Sequence, residues 1–125
     1  MNKLIIKETG TTPSVHFDTE CNYYEIRGNS IVLNALEFFT RVAQWLRENN
    51  GEIQPGSRFI FNLPFFNSAS SKGIVMVLKE IRQLQQNKAD IFVVWRVEDD
   101  DEFMKEAGEN FSEFLEMNFV MENLP

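Results

Sequence analysis

The sequence predicts an α/β domain: a mixed, largely parallel sheet with an N-terminal hairpin and three main helices. Three observations carry this expectation. Two short alternating runs, residues 15–17 and 23–26, flank a stretch with turn chemistry. Beyond them, helix-periodic segments alternate with short apolar runs, which requires crossover connections and therefore parallel pairing. The chain has 125 residues, a length that fits a single domain spanning 1–125.

The elements follow in order. Leu4, Ile5 and Ile6 suit a short strand. In the hairpin, Val15, Phe17, Tyr24 and Ile26 take the inward positions. Gly28, Asn29 and Ser30 break the second arm. Over residues 33–47, Leu36, Phe39, Val42, Ala43 and Leu46 recur at helical spacing, and Asn49, Asn50 and Gly51 end that helix. Pro55 and Gly56 make a turn. Residues 58–63 read as a strand with Pro64 at its end. Residues 70–87 are the clearest helix, with a stripe of Ile74, Val77, Leu78, Ile81 and Leu84. The continuous apolar run 91–97 suits a strand buried on both faces. A third helix, 102–115, places Phe103, Ala107, Phe111 and Phe114 on one side. Phe119 and Met121 alternate in a last short strand, and Trp45 and Trp95 are expected in the core.

Composition narrows the partners. Apolar residues make up 43% of the chain and twelve are Phe, which is globular composition with an aromatic core. The net charge is −7, so nucleic acid and anionic membrane surfaces are poor partners and basic protein surfaces better ones. Cys21 is the only cysteine; it has no intrachain disulfide partner and fits a reducing cytoplasm. The apolar run Leu4-Ile5-Ile6 is too short for a signal-peptide core, and no stretch approaches the ~18 apolar residues of a membrane span. A soluble, cytosolic, unprocessed protein is the expectation.

In such a sheet, function collects at the carboxyl ends of the strands, where loops lead into helices. Two of these loops stand out. The first, Phe65-Phe66-Asn67-Ser68-Ala69-Ser70-Ser71-Lys72, holds three hydroxyls at the start of a helix. Two readings fit them. A serine oxygen caps a helix by accepting from an early amide, and at least one of these serines is expected to do so. Alternatively a serine is phosphorylated: a helix N-terminus stabilises a phosphate, and Lys72 would add a point charge. Spacing alone does not choose between the two.

The second loop is Glu98-Asp99-Asp100-Asp101-Glu102. Acids suit the positive end of a helix dipole. Hard cations also bind carboxylates, but consecutive acids point in different directions and match no calcium-loop pattern. An acidic docking patch is the third reading.

Catalytic constellations are hard to find. His16 is the only histidine and falls on the outer face of a hairpin strand. Cys21 has no second histidine to activate it. The glycines are scattered and form no phosphate loop, and zinc would need a Cys/His cluster. The residues assign no catalytic group, metal or cofactor.

The chain resembles the SiaC family of bacterial regulatory phosphoproteins. The resemblance runs nearly end to end. It is carried by Thr12-Pro13-Ser14-Val15-His16-Phe17-Asp18, Ile26-Arg27-Gly28-Asn29-Ser30 and Trp45-Leu46. The strongest stretches are the serine loop, Trp95 through Asp101, and Glu106-Ala107-Gly108-Glu109-Asn110-Phe111. It departs from the family where Ser68 stands for threonine, Ala69 for serine, Phe65 for tyrosine, and Val32-Leu33 for Pro-Glu.

The resemblance implies a fold like the anti-sigma-factor antagonist (STAS) domains and a working cycle. A Ser/Thr kinase phosphorylates the acceptor and a PP2C-type phosphatase reverses it. In the best-known branch the unphosphorylated form binds and activates a diguanylate cyclase, raising cyclic-di-GMP and promoting biofilm. On this resemblance Ser68 is the acceptor, with Ser70 and Ser71 as rivals and Asn67 and Lys72 as supports. Phe65, Phe66, Glu98, Asp99, Asp100 and Asp101 then form the partner-binding rim, on which a new phosphate would crowd existing carboxylates. Two other classes compete: a constitutive interaction module of the same fold, and a small metal-dependent enzyme using the acidic run.

Overall fold

The computed structural model describes residues 2–124. Its strands are β1 (Lys3–Ile6), β2 (Ser14–Asp18), β3 (Tyr23–Arg27), β4 (Arg58–Asn62), β5 (Phe92–Glu98) and β6 (Phe119–Leu124). The helices are α1 (Ala35–Glu48), α2 (Ser68–Asn87) and α3 (Glu102–Leu115), with a 3-10 turn at Asn50–Glu52. All six strands join one sheet in the order β1-β2-β3-β4-β5-β6. The first two pairings are antiparallel and the last three parallel. This is the mixed α/β fold the residues predict.

Sequential strand order has a geometric consequence. Three right-handed crossovers stepping the same way along a sheet put their helices on the same face. That face holds the core: Val15, Phe17, Tyr24, Ile26, Phe59, Phe61, Val93, Trp95 and Val97 are all buried beneath the helices. The opposite face carries His16, Glu25, Arg58 and Arg96. It is closed over its centre by side chains alone. Glu122 accepts from Arg96 Nε at 2.5 Å and pairs with Arg58 at 3.3 Å. This bridge runs diagonally across the row Ile60–Val94–Val120, and aliphatic arginine stems shield apolar surface well. Val94 is therefore buried, while Phe92 is 40% exposed. The apolar run at β5 is thus covered by a helical layer on one side and by an ion bridge on the other.

Three element readings need correction. α2 begins at Ser68 rather than Ser70. Leu36 does not join the α1 stripe: it is 60% exposed, because Ala35 takes the buried position in the first turn and the next residue is turned about 100° away from it. On α3 the buried face is Met104, Gly108 and Leu115, with Ala107 and Phe111 at its margin. Phe103 and Phe114 fall outside it. Gly108 sets this orientation, since a Cβ there would lie 2.5 Å from Trp95 Cδ1. The helix turns its smallest residue to the indole, and Trp95 Nε1 donates to the Met104 carbonyl at 3.0 Å.

Candidate functional site

The serine loop leaves β4 and is held by a second segment that leaves β3. Gly28 makes this possible. Its φ of +117° is a conformation open to glycine, and its amide donates to the Asn62 carbonyl at 2.9 Å. The chain then runs beside the loop as far as Ser30. The Ser30 amide donates to the Phe65 carbonyl at 2.9 Å, and the Asn67 amide donates to the Ser30 carbonyl at 3.0 Å. This parallel bridge keeps the loop extended up to Asn67.

The helix therefore starts immediately afterwards, and Asn67 is its N-cap. The Asn67 Oδ1 accepts from the Ser70 amide at 2.8 Å. A serine cap was expected here; the amide side chain does the work, as Asn and Ser cap equally well. The three serines then diverge. Ser70 is fully buried, its Oγ donating to the Ser30 carbonyl at 3.0 Å and lying 2.7 Å from Ser30 Oγ. Ser71 is half-buried and its Oγ donates to the Ser68 carbonyl at 2.7 Å. Ser68 is exposed at the first helical position.

Ser68 opens into a groove between the starts of α1 and α2, lined by Leu33, Asn34, Leu36, Ala69 and Lys72. Leu33 is wholly exposed there. Phe65 is 49% exposed. Phe66 is half-buried, with its ring 5.7 Å from Phe111, which lies 5.6 Å from Trp95. The loop is thus tied through an aromatic chain to α3.

The acidic run leaves the neighbouring strand, so both loops share one rim. Within that rim they have different neighbours. Glu98 and Asp101 line a small cleft with Leu63, Pro64, Arg96 and Leu124, whereas Ser68 faces α1. Asp101 caps α3, accepting from the Met104 amide at 3.0 Å. Lys105 donates to the Asp99 carbonyl at 2.7 Å and lies 3.6 Å from Glu102. Glu98, Asp99 and Asp100 are exposed. Among the described residues no three Asp, Glu, His or Cys side chains converge to hold a metal ion. Nor is any helix among them long and apolar enough to cross a membrane.

Three contributors escaped the sequence reading. Ser30 stands 40 positions from Ser70, and no spacing rule connects them. Leu33 had a visible signal, an apolar residue just after the strand break at residues 28–30, whereas Leu36 was read as part of the α1 stripe.

The fold is thus an α/β sheet covered by helices on one face, with one exposed serine hydroxyl at the start of α2 beside a groove. The SiaC family regulatory phosphoprotein model matches residues 6–124, and the chain belongs to that family, which is regulatory rather than enzymatic. Apo-SiaC from Pseudomonas aeruginosa superposes with a TM-score of 0.85 at 22% identity, covering 98% of this chain and 99% of that one. A chain from the crystal structure of the diguanylate cyclase SiaD in complex with its activator SiaC, from the same organism, also superposes at 0.85. Its identity is 22%, with 97% of this chain and 99% of that one covered. No curated relative matches the sequence.

Proposed function

We propose that this chain is the phosphorylation-switched activator of a diguanylate cyclase, with Ser68 as the acceptor. The division of roles among the three serines supports this reading best. Ser70 is locked against Ser30, Ser71 is bonded to the helix, and Ser68 is open. A kinase must draw its acceptor hydroxyl into its own site, and a buried one is reachable only after local unfolding.

A phosphate on Ser68 carries nearly two negative charges near neutrality. The positive end of α2 favours it, and Lys72, one turn on, lies on the same helix face. The phosphate also places a strongly hydrated group against Leu33 and Leu36. A partner that seats apolar side chains in this groove then loses its contact. A loss of ~3 kcal/mol weakens affinity more than a hundredfold, which is enough for a switch.

SiaC of Pseudomonas aeruginosa forms a complex with the cyclase SiaD as its activator. Carried to this chain, the unphosphorylated form binds and activates such a cyclase, also using the rim of Phe65, Phe66, Glu98, Asp99, Asp100 and Asp101. A cognate Ser/Thr kinase releases it, a PP2C-type phosphatase restores it, and cyclic-di-GMP output follows the unphosphorylated fraction.

The test is phosphopeptide mapping after treatment with the cognate kinase. The expected product carries phosphate on Ser68, and Ser68→Ala takes up none. Phosphate on Ser70 or Ser71 with none on Ser68 would overturn the assignment. Protein from the native host that never carries phosphate under any growth condition would instead favour a constitutive module.

A further inference from the structure

Helix α3 carries two phenylalanines that the core does not take. Phe103 is 70% exposed and Phe114 72%. They stand three turns apart, which returns both side chains to one flank with Ala107 and Asn110 between them. The buried face through Met104, Gly108 and Leu115 lies roughly 100° away round the helix. Scattered exposed apolar residues need no explanation, but an aligned aromatic pair on one helix is a patch.

The chemistry beside this patch is one-signed. Glu102, Glu106, Glu109 and Glu113 are all exposed along α3, and Glu116 closes it. Lys105 is the helix's lone cation, and it is half-buried and held by the Asp99 carbonyl and Glu102. This charge chooses among possible occupants. A second copy would bring a net −7 and the same glutamates to the contact, and an anionic membrane would be repelled. A cationic helix with its own apolar side is complementary in both respects.

We propose that this flank of α3 is a docking surface for a basic amphipathic helix of a partner protein. Apolar side chains of that helix cover Phe103 and Phe114, roughly 16 Å apart along the axis. Its lysines or arginines meet Glu106, Glu109 and Glu113. The surface is separate from the Ser68 groove, which lies at the start of α1 while α3 packs on β5 and β6. A partner can therefore stay docked on α3 while Ser68 is modified.

The full chain is titrated with a fluorescent synthetic helix of alternating leucine and lysine pairs, and with a matched leucine–glutamate helix. Binding of the lysine helix alone is expected, with amide shifts centred on α3 in the NMR spectrum. Affinity should fall about tenfold or more in the double variant Phe103→Ser/Phe114→Ser. It should also fall in Glu106→Gln/Glu113→Gln, whose apolar patch is intact, and on adding salt. Equal binding of both helices, unchanged affinity in the double variant, or shifts centred elsewhere would overturn the proposal. So would a dimer of the chain, or binding to phosphatidylglycerol vesicles, that is lost in the double variant. Thermal melting of each variant checks that the fold persists.

Discussion

Ser30 and Ser70 show how a surface loop is held from inside. The Ser70 hydroxyl donates to the Ser30 carbonyl and its oxygen accepts from the Ser30 hydroxyl, in a site with no access to solvent. In Ser70→Ala the Ser30 hydroxyl stays buried with its partner gone, which costs about 1–3 kcal/mol. Urea unfolding should show that loss, while kinase treatment still labels Ser68. Loss of labelling in a folded Ser70→Ala protein would make Ser70 the acceptor. Tyr24 poses the opposite case. Its hydroxyl is buried without a hydrogen-bond partner among the described residues, and burial pushes the phenol up to about 12, with Asp18 and Glu52 adding to the effect. The unfolded phenol titrates near 10, so the unfolded chain loses its proton first. Stability should therefore fall as pH rises from about 10 through about 12. Tyr24→Phe removes the unpaired group and should raise stability by about 1 kcal/mol at neutral pH. A melting series in alkaline buffer should show a shallower decline for the variant.

Among the elements, α1 and α2 form the tightest helix pair, and Gly73 is where they meet. A Cβ there would lie 2.3 Å from Phe39 Cδ2. Replacing a mid-helix glycine by alanine ordinarily gains up to about 1 kcal/mol of helix propensity. Overpacking a core costs about 1–3 kcal/mol, and here the clash is with a fully buried ring, so it wins. Gly73→Ala should be net destabilised in denaturant titration; a stabilised protein would show that the helices can part freely. The sequence reading placed α2 well because five apolar residues at helical spacing all reach the core. It went astray on α3 because periodicity finds a stripe without fixing which edge of it is buried. The Gly108–Trp95 approach decides that, and it depends on a strand ten or more residues away. The same gap hid the groove: Leu36 continues the α1 stripe in sequence, but Ala35 fills the core position and Leu36 is left at the exposed edge.

Across the whole molecule, the alternation of strands and helices was legible, as were the hairpin's inward residues, all now at the core. The sequential strand order was not, because right-handed crossovers alone permit several neighbours for each strand. That order puts β4 beside β5 and so brings the serine loop and the acidic run to one rim. It also leaves the outer sheet face to the Arg58–Glu122–Arg96 bridge, a pairing across strands 64 positions apart at its widest. The rim was anticipated as a crowd of like charges around a phosphate. The groove lined by Leu33 and Leu36 beside Ser68 adds a second element to our proposal, in which a phosphate on Ser68 would act by wetting an apolar contact. The affinity of the cognate cyclase for this chain, measured by calorimetry with Ser68 free and with Ser68 phosphorylated, decides the matter. The switch predicts affinity at least a hundredfold weaker for the phosphorylated form, corresponding to ~3 kcal/mol. Equal affinities for the two forms would contradict it.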